Sequence, residues 1–160
     1  MRIFQLLDLK KGFSLPLWVV ASAKAATKKL LDLPFDNHEF IKIPNNDDVK
    51  KIKVHSAASI KENNSALAIT FANSGLDLDI TNNLEIWVIA SFVNNENLEN
   101  VSKGIIDLVP GYGVGIEFNT EKICISDFAK EIIEVNLLEL IPEGLKLRLE
   151  IIFPRGKFLA

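Results

Sequence analysis

One hundred and sixty residues, 48% of them hydrophobic, suffice for one domain that buries roughly 70% of the surface its unfolded chain would expose, which excludes disorder and fibrous repeats. Eighteen basic against 21 acidic residues leave a net charge of -3, the wrong balance for a protein whose main partner is a nucleic acid backbone. Two histidines, His38 and His55, and the single Cys124 exclude a conventional four-ligand zinc site, so no metal is expected; one cysteine makes no internal disulfide and suits a reducing, cytoplasmic setting.

The mean hydropathy of +0.19 is high enough to demand a test for membrane segments, which need about 20 apolar residues in a row. Leu15 to Ala26 is interrupted by Lys24 and stops before Lys28 and Lys29, and Met1 to Leu9 is short and runs into Lys10 and Lys11 without a small-residue cleavage site. Neither an anchor nor a signal peptide is expected, and no membrane partner. The surplus hydrophobicity belongs to a well-filled core or to a surface that expects a partner, either a second domain or a second copy of the chain.

In chain order, Gly12-Phe13-Ser14-Leu15-Pro16 opens a helix: Ser14 offers a side-chain acceptor to open N–H groups, and Pro16 presets φ in the first turn. Val19, Ala23, Ala26, Leu30 and Leu33 continue it at helical spacing, and Pro34 stops it. The alanine-rich stretch Ala21 to Ala26 leaves room for the close approach of a sheet. From Phe40 to Phe92 the period changes to two. Ile52 and Val54 alternate with Lys51 and Lys53, and Leu67, Ile69 and Phe71 with small or hydroxylated neighbours. Pro44 to Asp48 and Glu62 to Ser65 supply turns between antiparallel strands. Leu84 to Phe92 is apolar on both faces after Glu85, which predicts a central strand covered on both sides.

Asn94 to Asn100 is polar and reads as an exposed excursion. Strands are expected at Ile105 to Val109, Val114 to Phe118 and Lys122 to Ile125. Ser126-Asp127 then opens a second helix with Phe128, Ile132, Ile133, Val135, Leu137 and Leu140 on its apolar side, closed by Pro142 and Gly144. Leu145, Leu147, Leu149, Ile151 and Phe153 alternate with Lys146, Arg148 and Glu150, the clearest half-buried strand of the chain. No repeat and no long linker divides these elements. One domain over residues 1–160 is expected, an α+β fold with a mixed, largely antiparallel sheet and two helices packed on one face.

Nucleophilic catalysis finds little support, because the serines are scattered, the histidines stand beside polar residues at strand edges, and Cys124 lies between Ile123 and Ile125 as a small core residue would. Two segments stand out. Asp77 and Asp79, in Asn73-Ser74-Gly75-Leu76-Asp77-Leu78-Asp79-Ile80-Thr81, point to one side of an extended segment, a geometry that suits a polar ligand or a loop held by carboxylates. Gly111, Gly113 and Gly115 alternate in Gly-Tyr-Gly-Val-Gly, letting backbone approach a ligand or forming a glycine-rich hairpin; the segment does not open a helix as a dinucleotide fingerprint must.

Taken in order, these segments resemble the N-terminal half of the CbiD family, the cobalt-precorrin-5B C1-methyltransferases of cobamide biosynthesis. Gly12 to Pro16 with the following alanine-rich helix is similar to the family's Gly-Tyr-Thr opening in its cyanobacterial variant. Asn73-Ser74-Gly75 with Asp77, Asp79 and Thr81 resembles its Gly-Asp-Asp/Asn-x-Asp-x-Thr turn, Gly111 to Gly115 its Gly-x-Gly-Val/Ile-Gly segment, and Leu147 to Gly156 the strand and turn before its second half. Departures are Leu76 at a commonly acidic place, Leu-Pro-Leu-Trp after Ser14, and Glu121 to Phe128 in place of a proline-rich stretch.

The resemblance implies S-adenosylmethionine as methyl donor, a cobalt-containing corrin precursor as substrate, and Ser14, Asp77, Asp79, Thr81, Gly111, Gly113 and Gly115 as substrate-binding residues, with Lys24 or Lys28 adding charge. The other expectation is a non-catalytic half that binds a tetrapyrrole or a partner subunit.

Overall fold

A computed structural model of the chain describes residues 14–60, 64–73, 83–94 and 105–156. A five-stranded sheet runs in the order β3 (Ser56–Ile60), β4 (Ser65–Ala72), β5 (Leu84–Asn94), β7 (Leu145–Ile152), β6 (Ile106–Pro110). All neighbours are antiparallel except the edge pair β6 and β7. A separate antiparallel ribbon joins β1 (His38–Lys42) to β2 (Val49–Lys53), and its turn closes as Pro44 to Asp48 predicts: Ile43 N donates to Asp48 O at 3.1 Å, and Asn46 Oδ1 accepts from Asp48 N at 3.0 Å.

Helix α1 (Leu15–Leu30) crosses β4 and β5, and α2 (Asp127–Leu137) packs on α1 and β1 rather than broadly on the sheet. The α+β architecture with a mixed, largely antiparallel sheet is therefore present, layered as sheet, first helix, then second helix and ribbon.

Twelve of the sixteen residues of α1 are buried, so it is a core helix rather than a surface one. Its alanines Ala21, Ala25 and Ala26 and the sheet's Ala66, Ala68 and Ala90 are all at most 1% exposed. Small residues on both layers bring helix and sheet close, as the alanine-rich stretch predicts. At that close approach Ser22 Oγ lies 2.8 Å from Thr70 Oγ1, which donates to the Trp18 carbonyl at 3.1 Å. Thr27 returns its hydroxyl to Ala23 O at 2.7 Å. Each of these three buried hydroxyls thus has a partner, as the low dielectric requires.

Helix α1 ends before Pro34 intervenes. Asp32 takes φ of 55°, Leu33 N donates to Lys28 O at 2.9 Å and Asp32 N to Lys29 O at 3.1 Å, the six-to-one and five-to-two bonds of a Schellman cap. At the other end Ser14 departs from expectation. Its side chain makes no capping bond; its carbonyl accepts from Leu17 N at 3.0 Å instead. Ser126, by contrast, caps α2 through Oγ, which accepts from Ala129 N at 3.2 Å.

Three further expectations are corrected. Val114 to Phe118 and Lys122 to Ile125 form no strands but a loop closed by one bridge, Ile116 to Ile123; that leaves Cys124 half-buried outside any strand. Phe128 and Val135 are 46% and 42% exposed, because α2 buries Ala129, Ile132, Ile133, Asn136 and Leu137 against α1. On β5, Leu84, Ile86, Val88 and Ala90 are buried under α1, whereas Trp87, Ile89 and Ser91 on the second face are only half-buried. Beyond residue 94, the polar excursion lies outside the described residues.

Candidate functional site

The register of the sheet gathers the segments that the sequence singles out. Ala72 at the end of β4 pairs with Leu84 at the start of β5, Trp87 pairs with Ile152 at the end of β7, and Ile151 pairs with Pro110 at the end of β6. The connection from β4 to β5, the turn at Gly111 to Gly115 and the turn at Pro154 to Gly156 therefore all leave one end of the sheet. Asp77, Asp79 and Thr81 belong to the first of these connections and lie outside the described residues.

The glycines at this end serve close backbone packing. A Cβ on Gly113 would fall about 2.0 Å from the Phe153 carbonyl oxygen, and one on Gly156 about 2.4 Å from Gly113 O; Gly113 also takes φ of +77°. A Cβ on Gly111 would meet Ile152 Cγ1 at 2.6 Å and Ile151 O at 2.7 Å. The two turns are thus locked back to back, reinforced by Phe153 N donating to Tyr112 O at 2.9 Å. The Gly111 N–H donates to Ile151 O at 2.8 Å and continues the ladder, so it does not face a ligand. Gly115 O accepts from Cys124 N at 2.9 Å, while the N–H groups of Gly113 and Gly115 carry no hydrogen bond among the described residues.

The two lysines expected to add charge are engaged elsewhere. Lys28 Nζ lies 2.8 Å from Glu39 Oε2, whose side chain is 3% exposed, and Lys24 Nζ donates to Phe40 O at 2.7 Å. Desolvation by burial lowers the Lys24 pKa from its ordinary value, with Glu39 opposing that shift. Both lysines tie α1 to the β1–β2 ribbon. His38 and His55 stand at strand starts; His55 is exposed and packs edge-on against Phe71, ring centroids 5.1 Å apart.

Sequence reasoning missed a cavity of about 400 Å³ alongside β6, between the edge strand, the loop of residues 117–123 and α2. Ile106, Leu108, Ile123 and Ile133 give it an apolar floor, and Pro110 carries it to the glycine turn. Its exposed rim holds Glu117, Glu121 and Glu134 with Lys122 and Lys130. Glu117 accepts from Thr120 Oγ1 at 2.8 Å; none of the other four forms a salt bridge among the described residues. The one signal in the sequence was Lys130 and Glu134 at i, i+4 on α2, a spacing usually read as a solvated helix pair.

The fold is similar to that of a solved structure, a cobalamin biosynthesis protein (cbiD) from Archaeoglobus fulgidus. The likeness has a TM-score of 0.59 at 19% identity, over 95% of this chain and 46% of that one. The CbiD family model matches residues 5–160, and the chain belongs to the CbiD family. Relatives named cobalt-precorrin-5B C(1)-methyltransferase include those of Prochlorococcus marinus strain MIT 9515, 60% identical over 152 residues, and strain MIT 9313, 38% identical over 149. These alignments cover 95% and 92% of this chain but 41% and 39% of the relatives, so the chain spans about two fifths of their length.

Proposed function

We propose that the chain is the N-terminal part of a cobalt-precorrin-5B C1-methyltransferase, an enzyme of corrin ring biosynthesis that methylates cobalt-precorrin-5B at C1 to give cobalt-precorrin-6A. The observation that carries this is the family match across residues 5–160 together with 60% identity to a relative of that name. Residues 1–160 act as one domain of the enzyme, in the cytoplasm; no helix among the described residues is long and apolar enough to cross a membrane.

S-adenosylmethionine, when bound, supplies a methyl group on a positively charged sulfur that a ring carbon can attack. The protein's part is to align the two reactants and hold a large, multiply carboxylated macrocycle still. The motif-bearing end of the sheet suits the macrocycle: the N–H groups of Gly113 and Gly115, without a hydrogen bond among the described residues, can donate to its carboxylates, held rigidly by the packing of Gly113 on Phe153 and Gly156. Asp77, Asp79, Thr81 and the hydroxyl of Ser14, which makes no capping bond, complete the assignment.

The test is isotopic. The natural reading frame that carries this chain is expressed, and its product is incubated with cobalt-precorrin-5B and S-adenosylmethionine labelled in the methyl group. Label is expected at ring carbon C1; a corrinoid that stays unlabelled beside bound substrate overturns catalysis and leaves a tetrapyrrole-binding protein.

A further inference from the structure

Of the two reactants in that reading, the cavity beside β6 suits only one. Carboxylates Glu117, Glu121 and Glu134 outnumber Lys122 and Lys130 around its mouth, with Asp107 on the strand between Ile106 and Leu108. A polycarboxylate macrocycle would be repelled there, and about 400 Å³ is at the small end of ligand cavities, too narrow to enclose it. A compact ligand with a flat apolar body, net positive charge and one carboxylate fits on every count. The floor of Ile106, Leu108, Ile123 and Ile133 takes the body, Lys130 or Lys122, in no salt bridge among the described residues, takes the carboxylate, and Glu134 and Glu121 face the cationic groups.

We propose that this cavity is the site of the methyl donor, and that it recognises an adenosyl sulfonium amino acid by its charge. The inference rests on the methyltransferase reading and adds the location and the basis of discrimination. Cavity and glycine turn share the step from Pro110 to Gly111, so a donor seated along β6 would end beside the turn assigned to the macrocycle. Methyl transfer turns the sulfonium into a neutral thioether, the ligand loses one positive charge, and a carboxylate-rich rim then releases the product more readily than it binds the donor.

Calorimetric titration of the complete product of the natural reading frame with S-adenosylmethionine and with S-adenosylhomocysteine tests this directly, with circular dichroism to confirm that each variant is folded. The donor is expected to bind more tightly than the product, by a margin that shrinks with added salt. Glu134→Gln should weaken the donor about tenfold and the product much less, since the donor alone carries the sulfonium charge. Lys130→Met should weaken both ligands alike, because both carry the carboxylate. Equal affinity of the wild type for the two ligands, or unchanged donor binding in both variants, overturns the cavity as the donor site while leaving methyl transfer standing. Absence of binding by either ligand at millimolar concentration overturns the cavity and S-adenosylmethionine binding by this chain together, whatever the isotopic experiment returns.

Discussion

Asn136 on α2 serves the β1 backbone as an adjacent strand would: its Oδ1 accepts from Lys42 N at 2.8 Å and its Nδ2 donates to Lys42 O at 3.0 Å, across 94 residues of sequence. Nδ2 also donates to Ile132 O at 2.8 Å, and the side chain is fully buried. One amide therefore holds the β1–β2 ribbon to the helix that lies over α1. Asn136→Ala is expected to cost about 2 kcal/mol, because the buried amide's bonds to both backbone groups of Lys42 are lost. Asn136→Leu, which restores the volume without the polar atoms, should cost nearly as much. Urea unfolding of the two variants against wild type checks this; full recovery in the leucine variant would mean that volume, not hydrogen bonding, matters there.

Gly113 and Gly156 exclude a Cβ from the same narrow space. Gly113→Ala meets both the Phe153 carbonyl and an unfavourable φ of +77°, whereas Gly156→Ala meets the Gly113 carbonyl and Cα without a positive φ. Each should destabilise by about 2–3 kcal/mol, Gly113→Ala the more. The double variant should fall short of the sum, since one separation of the two turns relieves both clashes. Thermal unfolding of the three proteins gives the coupling.

Lys24 carries a pH dependence whose sign follows from its lowered pKa. Desolvation holds the folded-state value below the ordinary 10.5, so between the two values the unfolded chain binds more protons and stability rises with pH. The unfavourable contribution is fully present below the folded pKa and disappears as pH passes 10.5. In Lys24→Met that rise should be absent. Urea midpoints at neutral and alkaline pH should shift in favour of wild type as pH increases.

Asp32 occupies the left-handed position of the α1 cap at φ of 55°, a conformation that costs a residue with a Cβ about 1 kcal/mol. Asp32→Gly is expected to raise stability by about 0.5–1 kcal/mol, and Asp32→Val to lower it. A melting temperature unchanged in both variants would show that the cap contributes nothing.

Much of the element list was legible because it depends on local chemistry. Ser126 caps α2, Asn46 closes the ribbon turn, and the alternation from Leu145 to Phe153 marks β7, each through interactions within a few residues. Legibility failed where a residue's environment comes from afar. In β4 the small residues Ala66, Ala68, Thr70 and Ala72 face the core and are at most 4% exposed, while Phe71 on the opposite face is 38% exposed. Alternation identifies a strand but not which face the helix takes; here α1 comes so close that only small side chains fit beneath it. The candidate site was legible as separate motifs. That the β4–β5 connection and the turns after β6 and β7 leave one sheet end depends on β7 lying between β5 and β6, and no local pattern records that order.

By itself, then, the sequence determined the α+β class, the helix starts, the strand periods and the family, all of which depend on neighbours along the chain or on motifs in order. Only the tertiary structure decided which lysines were already engaged, that Gly111 and Gly113 pack against β7 and its turn, and that a cavity with a charged rim lies along β6. Those properties belong to contacts between residues tens of positions apart, and such contacts exist once burial of the apolar core has fixed the layers against one another.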